Sequence, residues 1–177
     1  MAKNVSQLIQ VAPGFQVKRG AVKAESGLVT QYSATAIYDT ALNDSAGVSN
    51  KTIAAHGLGV YLPTKAIITN AFYEVLTTFT SATDGATIAL SAQSAGDLKA
   101  AIAISNASNV WDAGIAGCLP GSYAERTVAG DTAILDAASK AASYVKCTAE
   151  RELTATVASE ALTAGKLILF VEYYISA

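Results

Sequence analysis

Residues 165–177, at the end of the chain, predict one long β-strand that is apolar on both faces. Successive side chains of a β-strand point to opposite faces, so residues two apart share a face. One face of this segment carries Leu167, Leu169, Val171, Tyr173 and Ile175, and the other carries Ile168, Phe170, Glu172 and Tyr174. A strand that is apolar on both faces must be covered on both, by its own domain or by another copy of the chain.

Alternating or β-branched stretches predict further strands at residues 28–38, 51–61, 66–79, 86–91 and 146–157. Gly57 and Gly59 predict a bend or bulge in the second of these strands. In the third, one predicted face carries Ile68, Phe72 and Leu76, and the other carries Ala71, Tyr73, Val75 and Phe79. In the last, Leu153, Ala155 and Val157 alternate with polar residues and form one predicted apolar face.

Two turns predict β-hairpins. Asp84-Gly85 tolerates the positive φ angles of a tight turn and separates the strands predicted at 66–79 and 86–91. Residues 161–165 form the second predicted turn, into the terminal strand. Residues 98–104 fit either a short helix capped by Asp97 or a strand, residues 109–122 predict loops, and residues 131–144 fit a weak helix or a loop.

These elements together predict seven to nine strands and little helix. The predicted fold class is all-β: an antiparallel two-sheet sandwich, jelly-roll-like, over residues 27–177. Residues 1–26 contain Pro13-Gly14 and no strong periodicity, so they predict an extended N-terminal arm.

The charge content points to contact with other protein. Only 15% of the residues are charged, against about 25% in an ordinary soluble domain, and a charge-poor surface suits permanent protein contacts. The basic residues near the start form a small patch without interleaved aromatics, so no nucleic-acid partner is predicted. No apolar run approaches the roughly 20 residues of a spanning helix, and none precedes Pro13, so neither a membrane span nor a signal peptide is predicted.

The sequence predicts no catalytic site and no metal site. The single histidine, His56, lies in a glycine-flanked apolar segment, which is typical of a structural residue, and no Gly-x-Ser-x-Gly motif supplies a nucleophile for a triad. Cys118 and Cys147 are predicted to be buried reduced thiols, with a disulfide between them as the alternative. Glu150 and Glu152 share one face of a predicted strand and fit a paired-carboxylate site, although a solvated or interface edge is favoured. No cofactor is predicted.

Three stretches of the chain resemble a known group of proteins. They are residues 57–75, which include Gly-Val-Tyr-Leu-Pro-Thr-Lys-Ala-Ile-Ile, residues 83–90, which read Thr-Asp-Gly-Ala-Thr-Ile-Ala-Leu, and the terminal stretch with Leu-Thr-Ala-Gly-Lys-Leu-Ile-Leu-Phe-Val-Glu-Tyr. The pattern resembles small virion proteins of tailed bacteriophages, of the type found in marine and cyanobacterial phages. It covers a little under half of the chain.

The resemblance implies a capsid decoration, or cement, protein with a jelly-roll-like domain. Such a protein is a homotrimer on the outer surface of the virion, bridges neighbouring major capsid proteins, is synthesised in the host cytoplasm and has no catalytic residues. Within this reading, Phe15, Lys18 and Arg19 of the arm are predicted to bind the capsid. Ile168, Phe170 and Tyr174 are predicted to lie at the trimer interface.

Two alternative roles remain open at the level of sequence. One is a trimeric jelly-roll module that binds surface glycans, with Trp111, Asp112 and Tyr123 as the candidate contact residues. The other is a different part of the virion: a head fibre, a neck protein or a tail protein.

Overall fold

The computed structural model describes residues 30–118 and 145–176. These residues form nine strands: β1 (Tyr32–Asp39), β2 (Ala55–Leu62), β3 (Ala66–Ser81), β4 (Thr87–Ser91), β5 (Lys99–Ala103), β6 (Gly114–Gly117), β7 (Val145–Lys146), β8 (Arg151–Ala158) and β9 (Leu162–Ile175). The predicted arm at 1–26 and the segment 131–144 lie outside the described residues.

The nine strands form two antiparallel sheets. The β9 sheet has the order β1-β9-β3-β6, with β7 also paired to β3, and the β8 sheet has the order β2-β8-β4-β5. The pairs β1·β9, β2·β8, β3·β6 and β4·β5 describe one antiparallel ribbon that is rolled into two layers, which is the jelly-roll arrangement. The predicted fold class is therefore confirmed.

The core lies between the inner faces of the two sheets. The predicted apolar face of β8 is confirmed, and of the two apolar faces of β9 the one with Leu167, Leu169 and Val171 lies inward. On these two faces, the residues that are at most 1% exposed are Leu153, Ala155, Val157, Leu167, Leu169 and Val171, whereas Ile175, at the end of the same face of β9, is 48% exposed. Aromatic rings fill the layer between the two sheets, with Phe79 stacked on Tyr38 at 5.9 Å and edge-on to Trp111 at 6.0 Å between ring centroids. Edge-to-face and offset pairs of this kind add to the stabilisation from burial.

Both predicted hairpins are wrong, because each turn crosses from one sheet to the other. The Asp84-Gly85 turn connects β3 of the β9 sheet to β4 of the β8 sheet, and the turn before β9 also changes sheet. The two crossings are fastened together: the Glu160 carboxylate accepts hydrogen bonds from Ser81 Oγ and from the backbone amides of Thr83 (3.0 Å) and Gly85 (2.9 Å). These bonds, the one from Ser81 foremost, lower the pKa of Glu160.

Bulges account for the residue that the sequence places on the wrong face of β3. The pairing of β3 with β9 shifts register between Ile68 and Asn70, and an extra residue at such a bulge reverses the side-chain phase. Ile68 is consequently buried in the core, while Leu76 lies on the opposite face and is 45% exposed. The predicted bulge in β2 is confirmed by the register shift between Gly57 and Tyr61.

The two readings of residues 98–104 are resolved as a strand. β5 pairs with β4, and the turn between them is closed by Asp97, whose carboxylate accepts hydrogen bonds from the amides of Ala92, Gln93 and Ser94. Asp97 thus orders a hairpin turn and caps no helix. The loop prediction at 109–122 is wrong in one part, since residues 114–117 form β6 and pair with β3.

Candidate interaction surface

The outer face of the β9 sheet carries a row of residues that runs from one sheet edge to the other. In this row Ile37 of β1 is paired with Ile168 of β9, Ile168 with Glu74 of β3, and Glu74 with Ile115 of β6. Ile37, Glu74 and Ile168 each lie between two core residues of their strand, and Ile115 precedes Ala116, which packs against the core. All four side chains therefore point outward. We refer to these four residues as the isoleucine row.

The next row on the same face is aromatic at its centre. Thr35, Phe170, Phe72 and Gly117 are paired in that order across the four strands. The rings of Phe72 and Phe170 stack with centroids 4.8 Å apart and an angle of 15° between the ring planes. Cross-strand aromatic pairs stabilise a sheet, and this pair also presents its outer ring face away from the core.

These two rows form a largely apolar surface, which Glu74 interrupts between Ile168 and Ile115. The outer apolar face, as we define it, consists of the large apolar residues of the two rows together with Leu76 of β3: Ile37, Phe72, Leu76, Ile115, Ile168 and Phe170. Ile37 is 52% exposed and Ile115 is 76% exposed, and both lie at the edges of the sheet. Contiguous exposed apolar surfaces are uncommon on monomeric proteins and mark sites of association.

The far end of this face is polar. Glu172 of β9 accepts a hydrogen bond from Gln31 Nε2 (2.9 Å) beside the start of β1, with Asn70 Nδ2 at 3.5 Å. The following row holds Tyr174, Ile67 and, at the edge of the sheet, Lys146. Among the described residues, no carboxylate lies within ion-pair distance of Lys146.

The structure brings the three predicted interface residues together. Ile168, Phe170 and Tyr174 lie on the outward face of β9 and are all partly exposed. Their role at a trimer interface remains a prediction. Phe15, Lys18 and Arg19 lie outside the described residues.

Sequence reasoning missed Ile37 and Ile115, which extend this surface to both edges of the sheet. Ile37 alternates with the buried residues Ala36 and Tyr38, so its strand pattern already indicated an outward side chain. Ile115 gave no such signal, because β6 is short and flanked by glycines. Its place on the surface depends on pairing with β3.

The outer face of the β8 sheet differs in character. Its central strands present mostly small side chains outward: Thr154, Thr156 and Ala158 of β8, and Ala89 and Ser91 of β4. Glu152 of β8 and its partner Tyr61 of β2, which is 55% exposed, are the large exceptions at one end. Large apolar groups are therefore concentrated on one of the two outer faces, which singles out the β9 sheet as the candidate interaction surface.

His56 has the structural role that the sequence predicts. It is fully buried; its Nε2 donates to the carbonyl oxygen of Thr52 (2.9 Å), and its Nδ1 lies 3.1 Å from Asp44 Oδ2. Hydrogen bonds to its carboxylate lower the pKa of Asp44. The backbone amide of Val48 has the largest effect, and the His56 ring has a smaller one. This pair fastens the long β1–β2 loop to β2.

Glu152 also has a structural role, because its carboxylate binds the backbone of β2. Its Oε1 accepts a hydrogen bond from the amide of Gly59 (2.8 Å) at the β2 bulge. A Cβ atom on Gly57 would lie 2.5 Å from the same oxygen, so the carboxylate sits directly over the glycine. This arrangement accounts for Glu152 without the paired-carboxylate chemistry that the spacing to Glu150 fits.

Within residues 30–118 and 145–176, no three His, Cys, Asp or Glu side chains are grouped so as to hold a metal ion. Over the same ranges, no helix has the length and apolar character needed to cross a membrane. Cys118 and Cys147 are free and buried, as the sequence predicts.

The prediction of Trp111 as a glycan-contact residue is wrong. Its side chain is fully buried, its ring stacks against Tyr73 with centroids 5.1 Å apart, and its Nε1 donates to the carbonyl oxygen of Ile102 (3.0 Å). A ring without an exposed face offers no stacking surface to a sugar. Tyr123 lies outside the described residues.

Comparison with known proteins gives likeness of fold. Neither a protein-family model nor a curated protein sequence matches the chain. Among solved structures, a chain of the cyanophage Pam1 capsid asymmetric unit matches with a TM-score of 0.52 and 16% identity, over 93% of this chain and all of that one (100%).

Two further solved structures match at lower TM-scores. A chain from the acidic stable capsid of Helicobacter pylori bacteriophage KHP30 has a TM-score of 0.48 and 13% identity, over 83% of this chain and 89% of that chain. A chain from the capsid of Ralstonia phage GP4 has a TM-score of 0.48 and 17% identity, over 91% and 93% of the two chains. The cyanophage match shows that the jelly roll described above is also the fold of a chain in a phage capsid structure.

Proposed function

We propose that the chain is a structural protein of a phage virion, and specifically a homotrimeric decoration, or cement, protein. In this role it binds the outer surface of the head and bridges neighbouring copies of the major capsid protein, without catalysis. The fold shared with a chain of the cyanophage Pam1 capsid supports the virion role. The sequence resemblance to small virion proteins supports the decoration role.

The observation that carries the proposal is the outer apolar face. Full burial of an isoleucine or phenylalanine side chain contributes about 1.5–3 kcal/mol, and this face holds six large apolar side chains on one sheet. Three copies that bury such faces against one another would gain enough to offset the loss of translational freedom on association. The outer face of the β8 sheet carries mostly small residues, with Tyr61 as a large exposed ring at one end, and therefore has less of this driving force.

The physical basis of cementing is linkage. A protein that binds only the expanded, assembled shell stabilises that state by its binding free energy. A trimer also gains from effective concentration, because its second and third contacts are formed by subunits that are already held at the surface. A trimeric jelly roll therefore suits this role better than a monomer does.

Two measurements test the proposal. Sedimentation equilibrium of the purified chain should give the mass of a trimer, and the Ile168→Asp variant should dissociate, because it places a carboxylate inside the buried face. Ile53→Asp is the matched control, since Ile53 is 57% exposed on a loop between β1 and β2. A parent protein that stays monomeric at micromolar concentration would refute the trimer.

The second measurement concerns the head. Purified protein added to expanded heads that lack it should bind and raise their rupture temperature, and electron cryomicroscopy should locate it on the outer surface. Binding should weaken on deletion of residues 1–26 while the trimer persists, as the prediction for Phe15, Lys18 and Arg19 requires. Density at a fibre, the neck or the tail would replace decoration with one of those roles.

A further inference from the structure

The two edges of the β9 sheet are complementary to each other. At one edge lies Ile37 of β1, and at the opposite edge lies Ile115 of β6; the two are the end members of the isoleucine row. Both are outward-facing and strongly exposed, at 52% and 76%. Each edge therefore ends in an apolar side chain that the described part of its own chain does not cover.

The aromatic row next to the isoleucine row also allows the β1 edge of one copy to contact the β6 edge of another. It ends in Thr35 at the β1 edge and in Gly117 at the β6 edge. Within residues 30–118 and 145–176, no atom lies within 4 Å of a Cβ atom added to Gly117, so these residues leave open space beside that edge. A threonine from another copy can enter this space without displacing any of their side chains.

Two groups of opposite charge, Lys146 and Glu172, also lie toward opposite edges of the β9 sheet. Lys146 lies at the β6 and β7 edge, in the row of Ile67 and Tyr174. The Glu172 carboxylate lies one row away and is held toward the β1 edge by Gln31. Suppose that the β6 edge of one copy faces the β1 edge of the next, with their isoleucine rows at the same position along the strands. The Lys146 ammonium group of the first copy then lies near the Glu172 carboxylate of the second.

We propose that the copies associate cyclically, with the β1 edge of each β9 sheet against the β6 edge of the next, so that Ile37 packs on Ile115 of the neighbouring copy and Glu172 faces its Lys146. This inference rests on the trimer of the proposed function and specifies its contact. Opposite edges of one face meet in a closed ring, whereas a two-fold dimer brings each patch against itself. With the rotation axis roughly along the strands, the rows of neighbouring copies stay at the same height.

Cysteine cross-linking tests the contact directly. A disulfide requires Cα atoms within about 7 Å, and Ile37 and Ile115 of one chain are separated by three strand spacings, or about 14 Å. An internal bond is therefore excluded. The Ile37→Cys/Ile115→Cys double variant, oxidised and run without reductant, should give a covalent trimer. Each single variant should remain uncross-linked, as should Ile53→Cys/Ile115→Cys.

A charge exchange supplies an independent readout. Lys146→Glu and Glu172→Lys should each raise the trimer dissociation constant several-fold in sedimentation equilibrium, and the double exchange should restore most of the loss. Restoration requires that the two groups face each other, which a purely local effect of either substitution would not produce.

The outcomes separate this contact from the proposed function. A parent protein that is trimeric, with no covalent trimer from the double-cysteine variant, would overturn the edge contact and leave the trimer standing. Cross-linked dimers from either single variant would overturn it as well, because they require a self-facing patch. A monomeric parent would overturn both the trimer and the contact.

Discussion

Gly165, near the start of β9, is the position where one added methyl group should most clearly destabilise the fold. Its φ is +146°, a conformation that side chains rarely adopt, and a Cβ atom there would lie 2.0 Å from Cδ1 of the Phe79 ring. The ring cannot move aside freely, because it is packed between Tyr38 and Trp111. Gly165→Ala therefore combines backbone strain with overpacking of the core.

The magnitude divides into two parts. Placing alanine in a glycine-only conformation costs about 1–3 kcal/mol, and forcing an extra methyl group into a well-packed core costs about 1–3 kcal/mol more. Gly114→Ala is the matched control, since Gly114 has nearly the same φ, +144°, and nothing within 4 Å of an added Cβ. The difference between the two variants measures the clash with Phe79.

Equilibrium urea unfolding, followed by the fluorescence of the single tryptophan, is the appropriate assay. Trp111 contacts Phe79 edge-on, so its emission reports the packing that the variant disturbs. We expect Gly165→Ala to lose about 1–3 kcal/mol more than Gly114→Ala, and most of that excess should vanish in a Phe79→Leu background. Equal losses for the two glycine variants, in the parent background, would refute the reasoning.

Two further predictions concern titratable groups. The pKa values of Asp44 and Glu160 are lowered in the folded chain, so both carboxylates stabilise the fold above their unfolded values and lose this contribution as the pH falls through the folded ones. The urea concentration at the unfolding midpoint should therefore decrease as the pH is lowered below about 5. This decrease should be less steep in Glu160→Gln. A midpoint that stays constant down to pH 3 would contradict this prediction. Burial raises the pKa of Cys118 to about 12, and because the thiolate is the reactive form, a thiol reagent should modify Cys118 in a Cys147→Ser background only as the chain unfolds. Rapid labelling of the folded protein would contradict it.

The parts of the fold that could be read from the sequence are those set by local pattern. The alternation in β8 places Leu153, Ala155 and Val157 on one face whatever the strand pairs with, and the structure agrees. The bulge at Gly57 and Gly59 is also local, because glycine permits the backbone conformation that a bulge requires. Such features need no knowledge of distant residues.

The pairing of strands could not be read in this way. Asp84-Gly85 reverses the chain, and the sequence gives no local reason for β4 to leave β3 and pair with β8. The deciding contacts come from far along the chain, including the Glu160 carboxylate that receives the amides of Thr83 and Gly85. Turn chemistry specifies a reversal but not which sheet the next strand joins.

The candidate surface shows the same division. Alternation alone identifies Ile168, Phe170 and Tyr174 as one face of β9, but the isoleucine row exists only through the register of four strands. Trp111 shows the opposite error: its place in a predicted loop beside Asp112 suggested an exposed ring, whereas the ring is buried and stacks against Tyr73. Exposure depends on what packs against a residue, which local composition does not specify.

The position of β9 in its sheet explains why its sequence is apolar on both faces. β9 lies between β1 and β3, so its inner residues meet the core and its outer residues lie in the interior of the sheet's outer face. Protein interfaces have an apolar centre and a more polar rim. Ile168 and Phe170 lie at the centre of this face, and Glu172 begins its polar end. Glu74 interrupts the apolar surface beside Ile168, and the sheet edges carry Ile37 and Ile115. Folding buries the inner face of β9. Under the proposed trimer, assembly would bury the outer one, and this accounts for an apolar pattern on both faces.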